Sequence, residues 1–324
     1  MTETAPSRAK ENDFSARTIP LVTVVVPVRN RSEFLRTLIA ALAEQTIPRE
    51  QFEIIIADDG STDGCTEGLE TEDGWIRVVH GPPLGSYGAR NLGAAAARAP
   101  ALAFVDSDCK PEPTWLEEGL AALETADAAG GQIRFILPEK CTVWSLLDIE
   151  CTKDSEKQVR WNNAETANFW IRREMFERIG GFDGSLPEHG DFDIAERVVE
   201  NGGTLIYAPD ALVWHPTRYT ARPFLHMLWV MNRWYAVRAT RDGKRPVALK
   251  VRCLVPFVSM ARARLRNGTP IGLDRRRLGE NGITPTRGDE VRAFLANYLL
   301  LPYLRVAAQF VGWLAGRRLR VPAS

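Results

Sequence analysis

Four short apolar runs divide the first third of the chain, at residues 21–26, 52–57, 76–79 and 101–105. Each run is bounded by polar, glycine or proline residues, a pattern that predicts short buried strands. Between the first two runs, apolar residues recur at helical spacing from Phe34 to Leu42, and residues 89–99 are rich in alanine. Strands that alternate with helices in this way predict an α/β fold built on a parallel sheet with right-handed crossovers.

The pattern is less regular after residue 110. We expect strands at 129–137, 167–171, 204–207 and 211–214, and helices at 173–179 and 192–201. The polar stretch 138–165 is typical either of a mobile loop or of short helices near a site.

Beyond His215 the chain becomes rich in aromatic and arginine residues, with long apolar stretches at 247–260 and 291–316. Charged residues interrupt both stretches, so that no window of about 20 residues is cleanly apolar. We expect amphipathic helices that lie in a membrane surface. The alternative is a helical subdomain that packs on the sheet or on a second subunit.

Charge is unevenly distributed although the net charge is zero. Residues 216–324 contain 21 Lys and Arg against 5 Asp and Glu, whereas residues 1–215 contain 20 against 36. A basic C-terminal region indicates an anionic partner, and the apolar spacing between its arginines favours an anionic membrane surface over nucleic acid. The five cysteines form no Cys-x-x-Cys pair, which fits a reducing compartment. We therefore expect a cytoplasmic protein, peripheral at the inner face of the cell membrane.

Two carboxylates, Asp106 and Asp108, directly follow the predicted strand at 101–105. Open α/β sheets bind ligands at the carboxyl ends of their strands. Two neighbouring acids repel each other unless a cation lies between them, and hard oxygen ligands suit Mg²⁺ or Mn²⁺. Taken alone, Asp-Ser-Asp is equally consistent with a metal site and with an acidic turn.

Further short segments accompany this pair in a fixed order along the chain. They are Val-Val-Val-Pro-Val-Arg-Asn (24–30), Asp-Asp-Gly-Ser-Thr-Asp (58–63), Gly-Ala-Arg-Asn (88–91), Asp-Ser-Asp (106–108), Thr-Ala-Asn with Arg-Arg (166–173), Gly-Gly-Phe-Asp (180–183), Gly-Asp-Phe-Asp (190–193) and Val-Trp-His (213–215). The set resembles family 2 glycosyltransferases, inverting enzymes of the GT-A fold, over about residues 20–215. This resemblance implies a nucleotide-sugar donor, most simply a UDP-sugar, and Mn²⁺ or Mg²⁺ as cofactor.

The resemblance also implies roles for residues on the donor side. Asp59 would accept the uracil N–H, and Asp106 would approach the ribose or sugar. Asp108 would bind the metal together with Asp106, and His215 matches a position that ligates the metal in some relatives. The remaining donor contacts would come from Pro27, from Arg90 beside the phosphates, and from Arg29, which stands where relatives often carry an aromatic residue.

On the acceptor side, Asp191 matches the general base of the family. Gly190 stands where the family usually has Glu, and Glu188 cannot be equated with that residue. The expected acceptor or sugar contacts are Asn168, Trp161, Phe182 and Asp183.

These expectations divide the chain into four parts. Residues 1–18 would form a disordered tail, 19–110 the nucleotide-sugar-binding half and 111–220 the acceptor-binding half of one GT-A domain, and 221–324 a basic amphipathic helical region. The expected reaction moves a sugar to a hydroxyl of a saccharide or lipid-linked acceptor, as in polysaccharide biosynthesis. Two alternatives stay open, namely a catalytically inactive membrane-associated scaffold and a metal-dependent phosphotransferase with Asp106 as nucleophile.

Overall fold

The computed structural model describes residues 19–186, 188–241, 243–244, 246 and 273–318. Its centre is one eight-stranded mixed sheet with the strand order β3-β2-β1-β4-β7-β6-β8-β5. The strands are β1 (Val22–Val28), β2 (Phe52–Asp58), β3 (Ile76–His80), β4 (Ala101–Val105), β5 (Lys110–Pro111), β6 (Ala128–Ile136), β7 (Asn168–Arg172) and β8 (Leu205–Pro216).

Helices cover both faces of this sheet and extend beyond it at the C-terminal side. In the described residues they are α1 (Ser32–Ala43), α2 (Gly85–Ala95), α3 (Trp115–Thr125), α4 (Val143–Cys151), α5 (Ser155–Arg160), α6 (Arg173–Arg178), α7 (Gly190–Glu200), α8 (Ala221–Arg241), α9 (Arg275–Glu280), α10 (Arg287–Leu295) and α11 (Leu301–Arg318). A π-helical turn, Ala296–Leu300, joins α10 to α11.

The first four strands are parallel, as the alternating pattern predicts. Strands β1, β2 and β4 are buried along almost their whole length, because one hydrophobic core lies on each face of the sheet. Side chains of α1 and α3 contribute to one core, and those of α2, α6 and α7 contribute to the other. This arrangement directs the polar residues that follow β1, β2 and β4 to one edge of the sheet.

The second half of the sheet departs from the predicted parallel arrangement. Strand β7 runs antiparallel to both β4 and β6, so that Val105 pairs with Asn168. Strand β8 is a single long strand where the pattern predicts two, because its pairing with β6 continues across a bulge between Gly131 and Gln132. A local hydrophobicity pattern cannot specify strand direction, and the bulge residues interrupt the alternation.

Two helices begin earlier than predicted, with consequences for the site. Helix α2 begins at Gly85 rather than at residue 89, and α7 begins at Gly190 rather than at residue 192. The earlier start of α7 places Asp191 in its first turn. Between residues 138 and 165 the chain forms helices α4 and α5, which resolves the choice between a loop and short helices.

The C-terminal helices pack on the body through α8. Gly312 and Gly316 of α11 face α8 so closely that a Cβ at Gly312 would lie 2.0 Å from the Arg233 carbonyl oxygen. The predicted tail at 1–18 and the apolar stretch at 247–260 lie outside the described residues. The division at residue 110 stays a prediction, since β5 pairs with β8 and one sheet runs through both proposed halves.

Candidate functional site

Three adjoining cavities lie along the carboxyl ends of the parallel strands and beneath α8. We call them the strand-end pocket, about 500 Å³, the inner pocket, about 230 Å³, and the outer cavity, about 840 Å³. The strand-end pocket brings together every residue for which the sequence predicts a donor or metal contact. These residues are Pro27, Arg29, Asp59, Arg90, Asp106, Asp108 and His215.

Asp59 lies at the end of β2 and connects that strand to the start of α2. Its Oδ1 accepts hydrogen bonds from the backbone N–H groups of Leu84 and Gly85, at 2.7 and 3.0 Å. Its Oδ2 lies 3.7 Å from the Arg29 guanidinium, which is exposed. One carboxylate oxygen therefore fixes the strand-end geometry, while the other faces the pocket side where Arg29 lies.

Arg90 and Asp106 form the ion pair between the strand-end and inner pockets. Arg90 projects from α2 and is 4% exposed, and its Nη2 donates to Asp106 Oδ1 at 2.6 Å. Burial raises the pKa of Asp106, but the charge of Arg90 and its hydrogen bond, with Lys153 and His215, lower it below its usual range. Asp106 is therefore ionised and held in a fixed orientation.

Asp106, Asp108 and His215 form a cluster that fits a divalent cation. One potential ligand atom from each lies within 4.8 Å of the others. His215 Nδ1 donates to the Pro216 carbonyl at 2.8 Å, which leaves Nε2, 3.7 Å from Asp108 Oδ1, as the free ligand atom. Burial, followed by the charge of Asp106, raises the pKa of Asp108, which is the electrostatic strain that a bound cation relieves. Burial and the charge of Lys153 lower the pKa of His215, so its imidazole is neutral and competent to bind a metal.

Asp191 lies in the inner pocket at the first turn of α7. Its Oδ1 accepts hydrogen bonds from the Phe192 N–H at 3.0 Å and from the Tyr87 hydroxyl at 3.4 Å. Burial, together with the negative charge of Glu165, raises the pKa of Asp191 to about 7. A carboxylate with a pKa in this range suits a general base near neutral pH.

The structure explains why glycine stands before Asp191. A Cβ on Gly190 would lie 2.7 Å from the ring of Tyr87, which is closer than carbon atoms can approach. The absence of a side chain at Gly190 therefore admits the ring whose hydroxyl contacts Asp191. Glu188, two residues earlier, lines both the strand-end and the inner pocket, so an acidic side chain is still present there.

The sequence pattern did not predict three charged residues of the inner pocket, Lys153, Glu165 and Arg218. Lys153 Nζ lies 3.2 Å from Glu165 Oε2, and Arg218 donates to Asp148 at 3.1 Å while lining both pockets. Burial lowers the pKa of Lys153, but Glu165 and Asp106 outweigh that effect and keep its amine protonated. Glu165 directly precedes Thr166-Ala167-Asn168 and Arg218 comes three residues after His215, whereas Lys153 lies next to neither motif.

Two predicted acceptor contacts are core residues instead. The Asn168 side chain is 1% exposed, and its Oδ1 accepts from the indoles of Trp115 and Trp170 while its Nδ2 donates to the carbonyls of Gln132 and Ala211. Its hydrogen-bonding capacity is therefore fully used within the fold. Phe182 is 3% exposed and packs against the rings of Tyr87, Phe104 and Phe176.

The other two predicted acceptor contacts are exposed but lie apart from the inner pocket. Asp183 accepts hydrogen bonds from the backbone N–H and hydroxyl of Ser185, and it lines none of the three cavities. Trp161 lines the outer cavity, which adjoins the inner pocket at Thr152, His189 and Phe192. Of the four, Trp161 therefore lines a cavity that shares wall residues with the pocket of Asp191.

Comparison with known proteins gives a consistent picture. The sequence pattern described as "Glycosyl transferase family 2" matches residues 23–180. Glycosyltransferase AglE of Haloferax volcanii is 31% identical over 218 residues, which cover 65% of this chain and 70% of that protein.

Two solved structures share the fold. The mannosyltransferase PcManGT of Pyrobaculum calidifontis, in complex with GDP-Man and Mn²⁺, superposes with a TM-score of 0.58 and 18% identity, over 93% of this chain and 88% of that one. GalNAc-T7 with UDP, GalNAc and Mn²⁺ superposes with a TM-score of 0.52 and 16% identity, over 87% of this chain and 59% of that one. The mixed sheet described above is therefore a GT-A fold.

Proposed function

The chain belongs to glycosyl transferase family 2, and from this premise we propose that it transfers a sugar from a UDP-sugar to an acceptor hydroxyl with inversion at the anomeric carbon. The observation that carries the proposal is the convergence of seven predicted donor and metal residues on one pocket, beside a second pocket that contains Asp191. In this proposal Asp59 binds the uracil of the donor, Asp108 binds the metal ion, and Asp191 accepts the proton of the acceptor hydroxyl.

Residues of the strand-end pocket would bind the donor. Asp59 Oδ2 accepts the uracil N–H, while Arg90 and Arg218 offer their positive charge to the diphosphate where the two pockets meet. Asp106, Asp108 and His215 would hold Mn²⁺ or Mg²⁺, because one potential ligand atom from each lies within 4.8 Å of the others. When bound, such an ion neutralises the charge that develops on the leaving diphosphate.

Asp191 would act on the acceptor from the inner pocket. The acceptor hydroxyl gives its proton to the Asp191 carboxylate while its oxygen bonds to the anomeric carbon. The bond from that carbon to the diphosphate oxygen breaks on the opposite face, which inverts the configuration. Tyr87 and the Phe192 N–H hold the Asp191 carboxylate in place for this step.

A screen of UDP-, dTDP- and GDP-sugars by thermal shift, with and without Mn²⁺, tests the donor assignment. A UDP-sugar present at about 100 times its Kd should raise the Tm by about 5 °C, in the presence of metal only. A rise in Tm with GDP-sugars alone would show that the donor carries guanine in place of uracil. An unchanged Tm with every nucleotide sugar would contradict the proposed function.

The C-terminal helices support membrane attachment as part of the same proposal. The continuous helix Arg287–Arg317 is long and apolar enough to cross a membrane, although a third of its most apolar part is buried in the protein. Its outward face carries exposed apolar side chains, namely Val291, Leu295, Leu299, Tyr303, Phe310 and Leu314. Its other face packs on α8 through Gly312 and Gly316, and Ala308 of the same helix is buried. This two-sided character favours a helix that lies in the cytoplasmic face of the membrane, where a lipid-linked or polymeric acceptor would be presented.

Vesicle flotation tests the attachment. We expect the protein to float with vesicles that contain anionic lipid, and to float less at high salt because arginines supply part of the attraction. Replacing Leu299 and Tyr303 by Glu should lower the partition coefficient at least about tenfold, since two apolar side chains can no longer be buried. Leu21→Glu, at an exposed apolar residue directly before β1, is the control. Equal flotation of all three proteins would refute the role of this face.

A further inference from the structure

The outer cavity is the largest of the three, and the proposed mechanism does not use it. Five helices line it: α5, α7 and α8 provide most of the wall, Glu150 and Cys151 of α4 add to it, and Arg277 of α9 closes one side. It adjoins the inner pocket at Thr152, His189 and Phe192. A ligand that places one end at Asp191 would reach the outer cavity by passing these three side chains, which both cavities share.

The two cavities differ in the size of ligand that they admit. Ligand sites in proteins commonly measure about 300–1,000 Å³. The inner pocket, at about 230 Å³, falls below that range, whereas the outer cavity, at about 840 Å³, lies well within it. The inner pocket thus has room for the reacting unit alone, and most of the surface available to hold an acceptor lies in the outer cavity.

The wall of the outer cavity combines exposed aromatic rings with polar groups. Trp161 is 60% exposed at the end of α5 and Tyr235 is 39% exposed on α8, which is unusual for rings of this size in a folded domain. The Lys157 amine lies 5.0 Å from the centre of the Trp161 ring and restrains it. Asn163 has a side-chain oxygen shielded from water and, among the described residues, without a hydrogen-bond donor. A ligand that presents a flat C–H face together with hydroxyl groups matches these features.

The charges in the wall argue against other ligand classes. Three carboxylates, Glu150, Asp154 and Glu196, line the wall together with its basic residues, and Glu196 pairs with Arg238. A strongly anionic ligand would be repelled by these carboxylates. An acyl chain would remove the charged groups from water without offering them hydrogen bonds, which is costly.

We propose that the outer cavity is the acceptor subsite, and that it binds a neutral saccharide of at least two sugar units with the unit beyond the reacting one stacked on Trp161. This inference rests on the proposed function, because it assumes that the reacting hydroxyl lies at Asp191. It makes Trp161 a determinant of acceptor length. The donor site and the transfer step do not depend on Trp161.

The test measures how the transfer rate depends on acceptor length in the wild type and in two variants of Trp161. Mono-, di- and trisaccharides of the gluco, manno and galacto series are offered to the wild type, Trp161→Ala and Trp161→Phe, with the donor that the thermal-shift screen identifies. The wild type should show kcat/KM about tenfold higher for a di- or trisaccharide than for the monosaccharide of the same series, an advantage equal to one decade of affinity. Trp161→Ala should remove that advantage through KM, and Trp161→Phe should retain most of it.

Two further readouts separate this inference from the proposed function. Donor hydrolysis in the absence of acceptor should be equal in the wild type and Trp161→Ala. Tyr219→Ala, which removes an exposed ring that lines none of the three cavities, should behave as the wild type. If the wild type did not hydrolyse the donor, that result would contradict the proposed function itself. Three results would overturn the assignment of the outer cavity and leave the donor site standing: donor hydrolysis with no saccharide accepted, no effect of acceptor length, or an equal loss in Tyr219→Ala.

Discussion

Replacing Asp191 by Asn is expected to lower the rate of sugar transfer by about 10²–10⁴-fold, the usual contribution of a positioned general base. The amide has nearly the same shape but cannot take the hydroxyl proton. Donor affinity should be largely retained, because Asp191 lies in the inner pocket and does not line the strand-end pocket. The measurement is the single-turnover transfer rate together with the Kd of the donor.

The pH dependence provides a second signature of the same residue. Because burial and Glu165 raise the pKa of Asp191 to about 7, the base is protonated below that pH. The transfer rate of the wild type should therefore rise with pH through about 7, and the residual rate of Asp191→Asn should not. A variant with full activity would eliminate Asp191 as the base.

Measurements of Tm test whether unfolding, rather than loss of the base, causes the loss of activity in Asp191→Asn. The folded-state pKa of Asp191 lies above the unfolded value, so folding favours the protonated carboxyl and this contribution is lost as the pH rises through about 7. At pH 8 the wild type carries a buried charge that Asn lacks, and the Tm of Asp191→Asn should be equal or higher. Asp193→Asn, in the same helical turn but ion-paired with Arg197 at 2.8 Å, is the matched control and should transfer sugar at close to the wild-type rate.

Replacing Asp108 by Asn is expected to weaken metal-dependent donor binding at least about 100-fold. Loss of partners that merely orient a metal ligand costs about 10–100-fold, and the loss of a ligand charge should cost no less. The measurement is a titration with Mn²⁺ in the presence of the nucleoside diphosphate, and Asp210→Asn, an exposed acid on β8, is the control. An unchanged affinity for Mn²⁺ in Asp108→Asn would refute the metal role of Asp108.

The sequence indicates which residues converge at the strand-end pocket because of where these residues lie. Pro27, Asp59 and Asp106 directly follow apolar runs, and the ends of parallel strands meet at one edge of a sheet whatever the details of packing. The position of His215 is predicted for the same reason, since it lies near the end of β8. Order along the chain was therefore enough to predict that these side chains converge.

The acceptor side was harder to predict because its residues depend on packing between distant segments. Asn168 lies in a matched segment, but two buried indoles, Trp115 and Trp170, need its oxygen as an acceptor, which no local pattern reveals. Lys153 has a left-handed backbone, with φ of 51°, in a segment whose course the hydrophobic pattern did not specify. The importance of Gly190 likewise depends on the ring of Tyr87, about a hundred residues away in the chain.

The central claim is that Asp108 serves donor binding and Asp191 serves proton transfer, in two separate pockets. Titration calorimetry of the wild type, Asp108→Asn and Asp191→Asn with the donor, with and without Mn²⁺, tests this division most directly. We predict metal-dependent binding of similar affinity by the wild type and Asp191→Asn, and at least about 100-fold weaker binding by Asp108→Asn. Equal donor binding by all three proteins, with or without Mn²⁺, would contradict the account.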